Sequence, residues 1–189
     1  MSDSLKEYRA KRDFDKTSEP KDGSNTLLEG SIYVIQKHDA SNLHYDLRLE
    51  VNGVLKSWAV PKGPSLNPRI RRLAVETEDH PIGYHDFEGV IPEDQYGGGT
   101  VMVWDKGSYR NLKEDLTMGE ALEGGKVTVW LEGDKLRGGF ALIKTGKPEG
   151  NSWLLLKMRD EYAQDKGDVT KLRPSSAKTG RSLEDIAKS

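Results

Sequence analysis

Between His38 and Arg48, in Gln36-Lys37-His38-Asp39-Ala40-Ser41-Asn42-Leu43-His44-Tyr45-Asp46-Leu47-Arg48, two imidazoles, a carboxylate and a guanidinium fall close together in the chain. Two imidazoles and a carboxylate suit a hard-to-borderline divalent cation, and an arginine beside them suits a bound anion. The spacing adds direction. Leu43, Tyr45, Leu47 and Leu49 take odd positions, while His44, Asp46, Arg48 and Glu50 take even ones. Successive strand side chains point to opposite faces, so the apolar set can enter a core while the polar set projects together from the other side.

The elements that must hold these groups read as β. Asn52-Gly53 is a two-residue hairpin signal because both residues accept positive φ. Val54 to Val60 then returns as the partner of Leu43 to Val51, which pairs Leu47 with Trp58 and Tyr45 with Val60 on the apolar face. Arg48 meets Ser57 and Asp46 meets Ala59 on the polar face, where small neighbours leave room for a ligand. Further strands are expected at Ile32 to Ile35, Arg71 to Thr77, Thr100 to Asp105, Lys126 to Leu131, Leu136 to Thr145 and Ser152 to Met158. Asp115 to Leu122 reads as a short internal helix and Leu5 to Lys11 as another near the start. Gly97-Gly98-Gly99 lacks the lysine and hydroxyl of a P-loop and reads as a flexible turn. Gly133-Asp134 and Pro148-Glu149-Gly150 are further turn signals.

The fold class is therefore all-β, mainly antiparallel, with one or two short helices. Three parts are expected: a polar arm over residues 1–30, broken by Glu19-Pro20 and Asp22-Gly23; a β domain over 31–159; and a mobile polar tail over 160–189. With 189 residues there is enough chain for one proper core, although only 34% of it is hydrophobic and 32% is charged. No cysteine is present, which removes disulfides, thiolate zinc sites and cysteine nucleophiles. No apolar run approaches a membrane span and Met1-Ser2-Asp3-Ser4 is not a signal peptide, so a cytoplasmic protein without membrane partners is expected. A net charge of −2 argues against a protein that coats long duplexes. Its local basic groups, Arg9, Lys11, Arg12, Lys62, Arg69, Arg71 and Arg72, suit a nucleic-acid end instead.

Three chemistries fit these residues. His44, Asp46 and His80 could form the two-histidine, one-carboxylate triad of a non-haem iron oxygenase. Alternatively, His38, His44 and Asp46 hold the metal while Arg48, His80 and Tyr84 hold a phosphate whose oxygens gain charge during transfer. A barrel that merely grips a nucleic-acid end is the third reading. His85, beside Asp86, has no separate rationale.

Several blocks carry a resemblance. The Gln36–Ser41 and Leu43–Glu50 stretches, Ser57-Trp58-Ala59-Val60-Pro61-Lys62-Gly63-Pro64-Ser65, Glu78-Asp79-His80-Pro81 and Phe87-Glu88-Gly89-Val90-Ile91-Pro92-Glu93 through Tyr96-Gly97 resemble the 3′-phosphoesterase domain of DNA ligase D. The likeness runs from about Tyr8 to Glu161 and contains no polymerase or ligase module, so the chain looks like a stand-alone member. It implies a compact β-barrel-like fold and manganese-dependent trimming of DNA or RNA-tipped 3′ ends at primer-template junctions. A terminal ribonucleoside is removed first and the remaining 3′-phosphate second, for a separate repair polymerase and ligase to use. By position, it implies that His38, His44 and Asp46 bind manganese and that Arg48, His80 and Tyr84 bind phosphate and catalyse. Glu78, Arg72, Lys62 and Ser57 fall at secondary active-site positions, with Lys62 and Arg72 also facing nucleic acid. Arg12, Asp13 and Glu19 fall at positions tied to the ribonuclease step.

Overall fold

The computed structural model describes residues 3–21, 31–147 and 149–189. Met1, Ser2, the Asp22-Gly23 break with the rest of the arm's end, and Pro148 of the expected turn lie outside the described residues. Among the described residues there are nine strands: β1 (Ser31–Asp39), β2 (Leu43–Val51), β3 (Val54–Val60), β4 (Arg72–Pro81), β5 (Gly89–Ile91), β6 (Gly99–Asn111), β7 (Lys126–Gly133), β8 (Arg137–Lys144) and β9 (Ser152–Lys157). All pair antiparallel in the order β1-β2-β3-β4-β9-β8-β7-β6. A β1–β6 pairing closes this run into an eight-stranded barrel, and β5 adds to β6 outside it. Closure leaves no free edge on the ring, which removes the usual template for aggregation.

The hairpin is as its sequence requires. Asn52 and Gly53 have φ of 52° and 86°, and Leu47 lies opposite Trp58 with Arg48 opposite Ser57. Alternation then decides what each face does. Tyr33, Ile35, Leu47, Leu49, Trp58, Phe140 and Trp153 fill the interior, while Gln36, His38, His44, Asp46 and Arg48 take the outer face of β1 and β2. That outer face carries a second, smaller apolar cluster of Tyr8, Leu55, Ile82, Tyr84, Phe87, Ile91 and Val101. Tyr8 comes from α1 (Lys6–Ala10), so the arm packs over the barrel wall. Burying an aromatic side chain contributes about 2–3 kcal/mol, enough to anchor a five-residue helix that could not stand alone.

Several strands run longer than the residue pattern indicates. β1 continues past Ile35 to Asp39, which brings Gln36 and His38 into the sheet. β4 continues through Glu78-Asp79-His80-Pro81, past the expected end at Thr77, because a β-bulge lets Glu78 and Asp79 share one partner, Lys56. The bulge places His80 opposite Leu55 and brings Thr77, Glu78 and His80 to the same cavity. β6 runs to Asn111, beyond Asp105, to pair with β7. The internal helix α2 (Met118–Glu123) starts later than Asp115, since Thr117 and Glu120 form a capping box that fixes its first turn.

The tail departs most from expectation. Instead of hanging free, residues 160–189 fold onto the barrel through α3 (Val169–Leu172) and α4 (Leu183–Ala187). Val169 and Ile186 join the main core cluster, and the Trp104 indole N–H donates to the Arg173 carbonyl at 2.9 Å. A few apolar side chains at the right spacing suffice here, although the segment's average composition is polar. No helix of the described residues is long and apolar enough to cross a membrane.

Candidate metal and phosphate site

A cavity of about 220 Å³ opens on the outer face of β1–β4, lined by residues that include His38, His44, Asp46, Arg48, His80 and Tyr84. Cross-strand pairing assembles its first half: His38 lies opposite His44, and Gln36 opposite Asp46. One ligand atom from each of His38, His44 and Asp46 lies within 4.8 Å of the others, and among the described residues no other such group of metal-ligating side chains occurs.

The hydrogen bonds set the tautomers. His38 Nε2–H donates to the Gly97 carbonyl at 2.6 Å and its Nδ1 lies 3.5 Å from Asp46 Oδ2. His44 Nδ1–H donates to the Asn42 carbonyl at 2.9 Å and its Nε2 lies 3.4 Å from Asp46 Oδ1. Carbonyl oxygens can only accept, so each ring gives its far N–H to the backbone and turns its other nitrogen to the carboxylate, as an N–H donor when the ring is protonated and as a lone pair for a cation when it is neutral. Imidazoles whose far nitrogen is tied to a backbone carbonyl are how proteins orient metal-binding histidines. Burial resists ionisation of Asp46, but His38, His44 and Arg48 outweigh it and hold the carboxyl well below the usual range. Burial likewise opposes charge on His44, yet Asp46 raises its pKa. Two neutral-capable imidazoles and an ionised carboxylate fit a divalent cation.

Arg48 forms the second half. Its Nε donates to Gln36 Oε1 at 2.7 Å and its Nη1 to Ser57 Oγ at 2.8 Å, while the Ser57 hydroxyl donates to the Leu55 carbonyl. Nη2 is left facing Asp46 at 3.5 Å, and the guanidinium stacks over the Tyr84 ring at 4.8 Å. Gln36, fully buried, also donates from Nε2 to the carbonyls of Tyr84 and Phe87 at 2.8 and 2.9 Å. It ties the arginine to the 3₁₀ turn Ile82–Asp86 that carries Tyr84. His80 Nδ1–H donates to the Glu78 carbonyl at 2.9 Å, and its Nε2 lies 3.4 Å from Arg12 Nη2. Burial, then Arg48 and Arg12, push the His80 pKa well below that of an ordinary histidine and so favour the neutral ring. The rival triad through His80 is therefore not assembled: its free nitrogen faces a guanidinium, and His38 completes the cluster instead.

The arm supplies the roof. Arg12 Nε donates to Glu19 Oε2 at 2.9 Å, Tyr84 OH donates to the same oxygen at 2.7 Å, and Thr17 donates to Oε1 at 3.0 Å. Arg12 also pairs with Glu78 at 3.6 Å. Asp13 is not part of this group; it is exposed, accepts from the Asp15 N–H and pairs with Lys16, shaping the turn after α1. Lys62 and Arg72 also lie apart, lining a separate groove with Arg71 and Leu73. His85 only caps its own turn through the Ile82 carbonyl.

Gln36 and Gly97 are the functional residues the sequence did not single out. Gln36 directly follows the apolar run Ile32 to Ile35 in a strand whose pattern does not alternate, so only the contacts identify it; Gly97, with φ of 74°, is identified only by its carbonyl's contact with His38. The glycine run is a tight, built turn: a Cβ on Gly99 would fall 2.1 Å from the Asp39 carbonyl oxygen.

The structure is thus a closed antiparallel barrel with a His-His-Asp cluster that could hold a metal ion, set beside an arginine, a histidine and a tyrosine on the outer wall. Residues 36–144 match the DNA Ligase D 3′-phosphoesterase domain. The Multifunctional non-homologous end joining protein LigD of Pseudomonas aeruginosa is 48% identical over 188 residues, covering 95% of this chain and 22% of that protein. The corresponding DNA repair protein of Mycobacterium tuberculosis is 40% identical over 183 residues, 95% of this chain and 23% of that one. For the Mycolicibacterium smegmatis protein the figures are 44% over 172 residues, 85% and 21%. The chain thus spans about a fifth of the length of these relatives. It belongs to the DNA ligase D 3′-phosphoesterase domain family.

Proposed function

We propose that this protein is a manganese-dependent hydrolase of 3′-terminal phosphate esters, working at DNA or RNA-tipped primer-template ends. It would remove a terminal ribonucleoside and then the remaining phosphate, leaving a 3′-hydroxyl. The observation that carries the reading is the adjacency of the His38, His44 and Asp46 cluster to Arg48, His80 and Tyr84 in one cavity. The relatives' names tie them to non-homologous end joining, and a separate ligase and polymerase would be the partners. Family membership, combined with an assembled His38 cluster, favours this reading over an iron oxygenase or a passive grip on nucleic acid.

His38, His44 and Asp46 would hold the metal, which when bound neutralises phosphate oxygens and favours an attacking water. Arg48 Nη2, steered by Gln36 and Ser57, would bind a phosphate oxygen and stabilise its growing charge. In each reaction water forms a new P–O bond and the ester P–O bond breaks. In the first the departing oxygen belongs to the ribonucleoside, in the second to the primer's 3′ end. The departing oxygen takes a proton from His80, and a proton released by water restores it. In the free protein the neutral His80 ring is favoured, so it must gain that proton when the phosphate arrives and offsets Arg48 and Arg12.

A pH prediction follows from that sign. If anion binding raises the His80 pKa, binding takes up a proton and tightens as pH falls. Sulfate is the clean probe because it has no titratable proton in the working range. Calorimetry in buffers of different ionisation heat should show proton uptake near neutral pH in the wild type and none in His80→Gln. Uptake that survives in His80→Gln would assign it elsewhere.

Arg12 and Glu19 would recognise the ribonucleoside, whose 2′-hydroxyl both donates and accepts. Deleting the arm is not a clean test, because Tyr8 belongs to the outer-face core. Arg12→Ala and Glu19→Gln should instead slow ribonucleoside removal about tenfold or more, the size of a lost charged hydrogen bond, while 3′-phosphate removal falls less. Equal losses would deny the arm a selective role. The wider reading is tested by phosphate release from a 3′-phosphorylated primer-template with manganese, magnesium or chelator. Unchanged release under chelator would refute the metal assignment.

A further inference from the structure

The C-terminal segment packs on the stretch of chain that carries Tyr84 and Gly97. Glu88, whose side chain is 1% exposed, accepts from Ser176 Oγ at 2.6 Å and the Val103 N–H at 2.9 Å through Oε1. Its Oε2 accepts from Thr179 Oγ1 at 2.6 Å and Arg181 Nη2 at 3.4 Å. Two residues earlier, Lys178 Nζ donates to the Asp86 carbonyl at 2.8 Å and to Asp86 Oδ2 at 3.1 Å. The Ala177 N–H donates to the Val103 carbonyl, which fixes this segment along β6. Three of the four donors to one buried carboxylate therefore come from about ninety residues away, from a segment beyond the 36–144 family match.

What Glu88 and Asp86 hold is functional. Tyr84, the Phe87 carbonyl that steadies Gln36, Ile91, and the Tyr96-Gly97 rim all lie between residues 82 and 98. On its inner side this stretch meets the barrel through Gln36 and the short strand β5. On its outer side it meets Ser176, Lys178, Thr179 and Arg181. A buried carboxylate is costly to leave without donors, so the state with the tail seated is strongly preferred.

We propose that residues 176–181 form a latch on Asp86 and Glu88 that holds the 82–98 segment in the geometry needed to grip an anionic phosphate. Glu88 is a positioning residue in this scheme, acting through the Gln36 contacts on Arg48 and through Tyr84. The inference rests on the phosphate reading above but not on turnover.

The test uses the full chain with Thr179→Val and Arg181→Gln together, which spares the Val103 contact to Glu88, alongside Glu88→Ala and Glu88→Gln. Readouts are sulfate affinity by calorimetry, amide hydrogen exchange resolved by segment, and thermal unfolding. The double variant should unfold at a lower temperature than the wild type yet remain folded, since Ser176 and the Val103 N–H still donate to Glu88 Oε1. It should nonetheless bind sulfate about tenfold more weakly, the lower end of what support behind a binding residue is worth, and exchange faster across 82–98. Glu88→Gln, which keeps an acceptor, should recover part of the affinity lost in Glu88→Ala. If Glu88→Ala does not fold, the double variant decides alone. Faster exchange confined to 169–187 with unchanged sulfate affinity would overturn the latch, as would a wild type that binds no sulfate. Failure of the wild type to release 3′-phosphate while these effects hold would sink the catalytic reading and leave the latch standing.

Discussion

Asp46→Ala should abolish metal-dependent release of a 3′-phosphate while leaving the barrel folded. The carboxylate lies between a ring nitrogen of His38 and one of His44, so its loss removes the charged ligand and the reason both imidazoles converge. Several kcal/mol of charge stabilisation would go with the metal, a rate loss on the order of 10³-fold. The fold should survive because Asp46 is on the outer wall and Arg48 keeps Gln36 and Ser57 as partners. Manganese binding, followed by electron paramagnetic resonance, should fall in parallel with activity. Wild-type manganese affinity in the variant would refute the ligand assignment, and loss of the barrel's circular dichroism signal would show that the residue is needed for folding instead.

Arg48→Lys should be nearly as damaging, although it preserves the charge. The guanidinium uses separate N–H groups for Gln36 and Ser57 and still has Nη2 for the cavity. A lysine ammonium cannot satisfy both partners and keep that planar fork directed at an anion. Removing one donor aimed at developing charge costs about 10²–10³ in rate, and here a buried glutamine oxygen and a serine are orphaned as well. The loss should appear in both the ribonucleoside and phosphate steps, because both hydrolyse bonds at the same phosphorus. A variant impaired in only one step would place Arg48 in substrate selection.

These expectations draw on a part of the chain that was unusually legible. Strand alternation and the Asn52-Gly53 turn determine which residues face each other in β2 and β3, and the observed pairing agrees residue for residue at Tyr45, Asp46, Leu47 and Arg48. What escaped were features set by non-local contact. The β4 bulge is invisible in composition, since it depends on how Lys56 meets Glu78 and Asp79. Lys62 and Arg72 look like Arg48 in a sequence, yet Lys62 lies in the β3–β4 connection and Arg72 at the start of β4, where both line another groove. The tail misleads for a related reason. Its average polarity conceals Val169 and Ile186, whose burial depends on contact with barrel residues distant in sequence.

The most direct measurement is a time course on two labelled primer-templates with manganese, one ending in a 3′-phosphate and the other in a single 3′-ribonucleotide. The first should be converted to a 3′-hydroxyl. The second should pass through a 3′-phosphate intermediate to the same product, with both reactions lost in His44→Ala. An intact 3′-phosphate in the presence of manganese, or equal conversion by His44→Ala, would contradict the phosphoesterase reading.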